Sequence, residues 1–196
     1  MVSSSILVST ILLVFFSTTI LCSEQRNVTA LLHDCYEKQI QMEFFASNVY
    51  LTFAHRLAYD GVYHGFADFF FESAEEEREH GKKFLDFHNV RNHVSHLRDI
   101  TISEELSSII TVNEMLRKAK TLEDDVFSNM RTLHGYAVEA GHSETVHFIE
   151  KVTLEEQTIA VKQMHDLVKR LDHNNNSTIL LQMMDQDLRK KKVKQP

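Results

Sequence analysis

Apolar side chains recur every three or four residues along most of the chain, which is the spacing of one buried helix face. The first such stretch predicts a helix from about residue 27 or 30 to residue 59, ended by Asp60-Gly61. Six residues define its predicted inward face: Ile40, Phe44, Ser47, Leu51, Ala54 and Ala58. This helix is expected to pack along its whole length.

A second helix is predicted from about residue 64 to residue 92. Its predicted core positions are mostly aromatic: Phe66, Phe69, Phe70, Phe84, Leu85 and Phe87. The residues that follow, 91–103, lose the helical period. A connection of that length between helices is uncommon and usually crosses a bundle from end to end. The second and third long helices are therefore expected to run parallel.

The remaining chain predicts two more long helices and one short helix. The third runs from about residue 103 or 111 to 140, the fourth from about 143 to 171, and the fifth from 178 to 189. Their predicted core residues are Met115, Leu122, Val126, Met130, Leu133 and Ala137 in the third, and Phe148, Val152, Ile159, Met164 and Leu167 in the fourth. A basic tail, 191–196, follows the fifth helix.

Composition supports an all-α fold. The chain of 196 residues contains five Gly and one Pro, which is the last residue, so it has few helix breakers and few turn formers. Its net charge of −7, with 28 acidic residues and 12 His, argues against nucleic acid as a general partner. The same residues supply oxygen and nitrogen ligands for cations.

The first 22 residues form a separate unit. Residues 6–21 are apolar or Ser/Thr, and the small residues Cys22 and Ser23 follow them. This pattern is typical of a secretory signal peptide. The absence of Lys and Arg before this segment departs from that pattern, so an uncleaved membrane anchor stays open. The segment is shorter than the roughly 20 apolar residues of a membrane span. We therefore predict a signal peptide over residues 1–22, a secreted chain and no stable membrane anchor.

Three sequons agree with secretion. Asn27, Asn175 and Asn176 each stand in an Asn-x-Ser/Thr sequence and are predicted glycosylation sites of a secreted protein. Cleavage of the signal peptide leaves Cys35 as the only cysteine, so an internal disulfide is excluded. Cys35 is then either a buried small side chain or an intermolecular partner.

Glu77 and His80 are the first candidates for metal chemistry. Residues three apart lie on one face of a helix, so the pair presents a carboxylate and an imidazole side by side. An inward Glu-x-x-His is the unit from which di-iron carboxylate sites in helical bundles are assembled. By itself the motif is weak, since charged helices also carry it on solvated faces.

The other long helices place polar residues at about the same height of the bundle. These are Glu43 on the first, Glu123 on the third and Gln157 on the fourth, with Tyr50 on the same side of the first helix as Glu43. A buried carboxylate without a partner costs several kcal/mol. An inward set of this kind should pair with cations or bind a metal.

At this point the sequence resembles ferritin. The segments that carry the resemblance are 40–51, 76–80, 122–123, 148–150 and 154–157, and they span nearly all of residues 30–190 in the family's order. With the predicted signal peptide, the chain is similar to secreted, heavy-type ferritin subunits of invertebrates. The resemblance implies a ferritin-like four-helix bundle over residues 23–190, with a long crossover between helices 2 and 3 and a short fifth, C-terminal helix.

The resemblance also implies a di-iron centre. Glu43, Glu77 and His80 would surround one iron, and Glu77 would bridge to a second iron held by Glu123. Gln157 would orient the incoming oxygen species or water, and Tyr50 would stand beside the site. The implied substrates are Fe(II) and O2, and the implied cargo is a ferric mineral.

Two departures from the family's pattern concern iron transport. The positions that line the family's threefold channel are His147 and Glu150 here, so an imidazole replaces the usual Asp. An imidazole attracts cations less than a carboxylate does and repels them when it is protonated, so iron entry is expected to be slower or pH-sensitive. The alternative is that His147 has no effect on iron entry. Glu76 and Glu79 match the family's cavity and nucleation surface, but Lys82 follows them in that row.

The basic tail is a third departure. In the family the end of the fifth helix points into the cavity, where many Lys side chains would repel one another unless anions compensate. One alternative is a fifth helix that turns outward. Another is that the basic residues only complement the partial negative charge at the C-terminus of the helix.

The predicted function is iron storage and transport by a secreted ferroxidase that assembles into a shell of twenty-four subunits. Co-assembly with other ferritin subunits, which would supply efficient oxidation or nucleation, remains a second interpretation. A secreted helical signalling protein of the cytokine type is the rival from another class. Such a protein usually carries disulfides and has no reason to place carboxylates at matched heights.

Overall fold

The computed structural model describes the backbone of residues 3–174 and 177–192 and the side chains of residues 27–174 and 177–190. In these ranges all regular structure is helical. The helices are α1 (Ser3–Asp60), α2 (His64–Val90), α3 (Glu104–Ser107), α4 (Val112–Glu139), α5 (Ser143–Phe148), a π-helical turn (Ile149–Thr153), α6 (Leu154–His173) and α7 (Thr178–Lys192). The predicted all-α bundle, with a long crossover and a short C-terminal helix, is confirmed.

The crossover passes along the bundle from one end to the other. It leaves α2 beside Glu37, whose carboxylate accepts a hydrogen bond from the backbone N–H of His96 at 3.0 Å. It then reaches α3, where Leu106 packs on the apolar cluster that contains Val112, the first residue of α4. Since α4 begins at the end of the bundle where α2 began, α2 and α4 run parallel as predicted. Thr111 caps α4 by accepting a hydrogen bond from the N–H of Glu114.

Two apolar clusters fill the bundle, with a polar layer between them. One cluster contains Ala46, Ala74, Leu122 and Met164, and the other contains Ile40, Phe84, Met130 and Ile149. On each long helix a buried polar residue falls between the two sets: Glu43, Glu77, Glu123 and Gln157. The layer is therefore enclosed by close-packed apolar side chains on both sides. The fold thus brings the predicted metal ligands to one height.

The inward face of α1 differs in part from the prediction. Ile40, Ser47 and Ala54 are buried, but Leu51 is 37% exposed and Ala58 is exposed. The buried face is centred instead on Tyr50 and includes the polar Gln39 and Glu43. Because those polar residues are buried, the apolar pattern alone predicted a buried face that is rotated by about one residue from the observed one. The start of the helix also differs, because α1 extends back to Ser3 through a segment without Gly or Pro.

The fourth predicted helix is interrupted by the π turn, which the sequence did not reveal. A π turn accommodates one extra residue, so later residues are rotated by about 100° relative to a regular helix. The predicted core residues Val152 and Ile159 are therefore exposed, whereas Thr153 and Gln157 are buried. Phe148, Met164 and Leu167 are buried as predicted. The turn thus determines that Gln157 faces the polar layer.

Helix α7 docks on the start of α2 through a close backbone contact. The carboxylate of Asp185 accepts a hydrogen bond from the N–H of Phe66 at 3.0 Å and so caps α2 from a distant part of the chain. A Cβ atom at Gly65 would lie 2.0 Å from the backbone oxygen of Asp185. Only glycine permits this approach, so the contact sets the position of α7.

Several predictions lie outside the described residues. They concern the side chains of the apolar segment 6–21, the sequons at Asn175 and Asn176, and residues 193–196 of the basic tail. Among the residues that are described, no helix is long and apolar enough to cross a membrane. The signal peptide and the boundaries at residues 22 and 190 stay predictions.

Candidate metal centre

The polar layer brings Glu43, Glu77 and His80 together. One ligand atom from each lies within 4.8 Å of the others. The Nδ1 atom of His80 is 3.7 Å from Oε2 of Glu77 and 3.9 Å from Oε2 of Glu43. Both carboxylates are buried, and the imidazole side chain is 12% exposed on one side. These three residues could hold one metal ion.

A second group of side chains surrounds Glu123 in the same layer. The hydroxyl of Tyr50 donates a hydrogen bond to Oε1 of Glu123 at 2.7 Å, and Nε2 of Gln157 donates one to Oε2 at 2.5 Å. All three residues are buried. Glu123 is also close enough to Glu77 for their charges to interact. The two groups therefore form one continuous site across four helical segments.

The site is electrostatically strained without a cation. Burial, followed by the charge of Glu123, raises the pKa of Glu77 to about 8. Burial likewise raises the pKa of Glu123 to about 7, although the hydrogen bonds from Tyr50 and Gln157 lower it. Burial and the neighbouring Glu77 raise the pKa of Glu43 well above its ordinary value. A divalent cation among these groups would stabilise their ionised forms.

The hydrogen bonding of the layer is incomplete in a way that fits a metal. Among the described residues, Oε2 of Glu43, Oε2 of Glu77 and Oε1 of Gln157 are buried without a hydrogen-bond partner. A buried oxygen of this kind ordinarily costs about 1–3 kcal/mol. Carboxylate, amide and imidazole donors suit divalent iron and similar cations. The donor set therefore fits a metal better than a purely structural polar core.

Comparison with known proteins agrees with the fold. Residues 36–173 match the ferritin family, described as a ferritin-like domain. This chain belongs to the ferritin family. It is 36% identical to the ferritin middle subunit of Salmo salar over 143 residues, which cover 71% of this chain and 81% of that protein. It is 32% identical to the soma ferritin of Lymnaea stagnalis over 135 residues, 68% of this chain and 77% of that protein. It is 35% identical to the ferritin-1 heavy chain of Schistosoma mansoni over 137 residues, 68% and 78% of the two chains.

The sequence analysis did not predict two residues that contact the candidate metal ligands of this ferritin. Oε2 of Glu156 lies 3.2 Å from Nε2 of His80 and 2.6 Å from Nζ of Lys83. Nε2 of Gln39 donates a hydrogen bond to Oε1 of Glu43 at 2.7 Å. Gln39 precedes Glu43 by four residues, about one helical turn, so this contact could have been predicted from the spacing. Glu156 is adjacent to Gln157, but its contact with α2 depends on how the helices pack.

The residues predicted for the ferritin cavity surface, Glu76 and Glu79, lie outside the buried layer. Both are exposed and line a surface pocket of about 450 Å³ that ends at His80. The hydrogen bond from Lys82 to Glu79 lowers the pKa of Glu79 and partly neutralises its charge. Lys83 and Glu156 border the same pocket. Two Lys residues thus reduce the negative charge on this surface.

The predicted channel and glycosylation residues lie away from the metal centre. His147 and Glu150 are exposed, on α5 and in the π turn. Oε1 of Glu150 lies 2.9 Å from Nε2 of His134 on α4, an ion pair when that imidazole is protonated. Asn27 is exposed on α1. In the described part of the chain all three side chains are therefore on the surface.

Proposed function

We propose that this ferritin chain is a secreted heavy-type subunit that oxidises Fe(II) with O2 and stores ferric iron inside a shell of twenty-four subunits. The observation that carries the proposal is the set of buried carboxylate oxygens beside His80 that find no hydrogen-bond partner among the described residues. A subunit that served only as a shell wall would gain nothing from this arrangement, since burial disfavours the ionised form of each carboxylate.

In this proposal Fe(II) is the substrate, and the buried carboxylates hold it. Glu43, Glu77 and His80 would hold one ferrous ion, and Glu123, with Glu77 beside it, would hold a second. When each ferrous ion is oxidised to Fe(III), two ions held together supply two electrons to one O2, whereas a single ion supplies one. Ionisation of the carboxylates releases protons when the metal binds, because their pKa values are raised in the metal-free protein.

Tyr50 and Gln157 hold Glu123 in a defined orientation. Their hydrogen bonds occupy one lone pair on each oxygen of that carboxylate. Oε1 of Gln157 has no partner in the described residues and is the atom that would orient water or an oxygen species. An uncharged amide at this position binds ferric iron more weakly than a carboxylate does. Oxidised iron can therefore leave for the mineral.

Aerobic oxidation of Fe(II) by the assembled protein tests the proposal. We expect rapid oxidation in the wild type and loss of at least about 100-fold in Glu77→Gln/His80→Gln, with the shell intact by size-exclusion chromatography. The matched control is Glu75→Gln/His55→Gln, which makes the same two changes at exposed positions on α2 and α1. Equal slow rates in wild type and variant would exclude an active centre.

Dependence on a partner subunit is the second candidate function. Lys82 and Lys83, which pair with Glu79 and Glu156 on the pocket that leads to His80, favour it. Fewer free carboxylates on that surface would slow nucleation of the mineral. A homopolymer that oxidises Fe(II) but forms mineral only with a second ferritin chain present would support this candidate.

Secretion and glycosylation are proposed from the N-terminal segment and the exposed Asn27. Expression in a eukaryotic secretory system should release protein whose N-terminus follows Cys22 or Ser23. Enzymatic deglycosylation should lower its mass, and Asn27→Gln should remove part of that shift. Protein retained in the cytosol with Met1 present would refute the secreted assignment.

A further inference from the structure

A chain of buried polar side chains leads from Glu43 to the neighbouring helix α4. Nε2 of Gln39 is 2.7 Å from Oε1 of Glu43, and Oε1 of Gln39 is 2.7 Å from Nδ2 of Asn129. Sγ of Cys35 in turn lies 3.7 Å from Oδ1 of Asn129. Each of these side chains is more than nine-tenths buried, and Gln39 and Glu43 are fully buried. The chain of contacts therefore lies in the core.

The hydrogen bonds between the side chains of this chain run in one direction. The thiol of Cys35 donates to Asn129, the amide N–H of Asn129 donates to Gln39, and the amide N–H of Gln39 donates to Glu43. Asn129 is further fixed because its Nδ2 also donates to the backbone oxygen of Cys35 at 3.3 Å. The orientation of the last amide is thus determined by groups outside the metal centre.

Rotating the amide of Gln39 by 180° would break both of its contacts. Its N–H would then face the N–H of Asn129, and its carbonyl would face Oε1 of Glu43. Two donors or two acceptors opposed in a core are costly because no water can take their place. Asn129 therefore disfavours this rotation, and the ionised carboxylate of Glu43 meets a donor on Oε1.

The orientation of the Gln39 amide affects the second oxygen of Glu43. With Oε1 held by Gln39, Oε2 is the atom that faces His80, and it has no partner of its own in the described residues. A carboxylate held on one side presents the other oxygen in a fixed direction, as partners behind metal ligands commonly do.

We propose that Gln39, oriented by Asn129, is a positioning residue for the metal centre, which keeps Oε2 of Glu43 directed at the cation. The proposal rests on the proposed function, because it assigns Glu43 as a metal ligand. It adds two residues, Gln39 and Asn129, that are not among the proposed metal ligands. It also gives α4 a second contribution to the site besides Glu123.

Cobalt(II) binding under anaerobic conditions tests the proposal without any oxidation step. The variants are Gln39→Met and Asn129→Leu, which keep the side-chain size but remove the amide. The control is Gln41→Met, the same change at a half-buried position two residues further along α1. Visible absorption of bound cobalt reports the ligand geometry. The triple variant Glu43→Gln/Glu77→Gln/His80→Gln provides the background from other surface sites.

We expect both variants to raise the cobalt Kd by about 10-fold or more and to change the absorption spectrum, the size of effect usual for such partners. The concentration of Fe(II) that half-saturates oxidation should rise similarly, with a smaller change in kcat. Gln41→Met should stay within about twofold of wild type in the same titration. Thermal unfolding and size-exclusion chromatography check that every variant is folded and assembled.

The outcomes separate this inference from the proposed function. Wild-type Kd and spectrum in Gln39→Met would overturn the inference while leaving the centre intact. Weaker binding in Gln39→Met but not in Asn129→Leu would overturn the part assigned to Asn129. If wild type itself bound no more cobalt than the triple variant, the metal centre, and with it the proposed function, would fail.

Discussion

Nε2 of His80 lies 3.2 Å from a carboxylate oxygen of Glu156, so the imidazole that faces Glu43 and Glu77 with Nδ1 is held on its opposite side by another helix. Lys83 holds Glu156 in turn, at 2.6 Å. A carboxylate behind a ligating histidine fixes the tautomer and the ring orientation. The contact between His80 and Glu156 therefore links the partly exposed side of the metal centre to the surface pocket that both residues line.

The first prediction concerns this contact. In Glu156→Gln the charge on the partner of His80 is lost, and we expect the affinity for Fe(II) to fall by about 10-fold. Anaerobic Fe(II) titration measures the effect. Glu155→Gln, an exposed change one residue earlier, serves as control and should bind as wild type does. Unchanged affinity in Glu156→Gln would show that His80 needs no partner.

The second prediction concerns pH and the metal-free protein. The folded-state pKa values of Glu77, about 8, and Glu123, about 7, lie above the ordinary value of 4.5. The folded state therefore binds more protons than the unfolded state between these values, and stability falls as pH rises from about 5 to above 8. One pKa unit corresponds to about 1.4 kcal/mol, so the loss should reach several kcal/mol.

Unfolding of chelator-treated protein at pH 5 and pH 8 checks this. Glu77→Gln should be more stable than wild type at pH 8 and should show a flatter profile, because the amide cannot ionise. Glu75→Gln, at an exposed position, should follow the wild-type profile. Parallel profiles for wild type and Glu77→Gln would contradict the raised pKa.

The third prediction concerns the docking of α7. In Gly65→Ala the new methyl group meets the backbone oxygen of Asp185 at 2.0 Å, so α7 must shift. We expect a loss of about 1–3 kcal/mol in the free energy of unfolding, as for other overpacked sites. Gly135→Ala is the matched control, since nothing lies within 4 Å of its Cβ position in the helix α4. It should be neutral or stabilise by up to about 1 kcal/mol.

Chemical unfolding followed by circular dichroism measures both glycine variants. Limited proteolysis should also release α7 faster in Gly65→Ala than in wild type. Equal stability of the two alanine variants would mean that α7 does not depend on the close contact.

The fourth prediction concerns His147 and the proposed assembly. If His147 and Glu150 line a channel of the shell, His147→Asp adds three negative charges around each threefold axis and should speed Fe(II) uptake several-fold at low salt. The gain should shrink at high ionic strength because exposed charges are screened. His55→Asp, the same change at an exposed position of α1, is the control. An unchanged rate in His147→Asp would place iron uptake elsewhere.

Most of the helices and the Glu77/His80 pair were predictable from local patterns. The three-residue spacing of Glu77 and His80 puts both on one side of any helix, whatever surrounds it. The long helical stretches contain no Pro and only isolated Gly residues, namely Gly65, Gly81 and Gly135, so the apolar residues keep a helical period along them. Glu43, Glu123 and Gln157 were predicted as site residues from the family resemblance and from their matched heights, and the structure brings these residues into one buried layer.

Contacts between helices could not be read in this way. The π turn rotates Gln157 inward and Val152 outward, and no local pattern distinguishes that turn from a regular helix. The buried face of α1 was placed slightly wrong because Gln39 and Glu43 are polar and do not add to an apolar pattern.

The sequence by itself determined the helices, their order and the chemical groups available at mid-height, because these depend on spacing along a single helix. Only the tertiary structure decided which groups meet. The contacts of Gln39 with Asn129 and of His80 with Glu156 join residues that are far apart in the chain. Their existence depends on the rotation and height of packed helices, which are set by side-chain packing over both apolar clusters together.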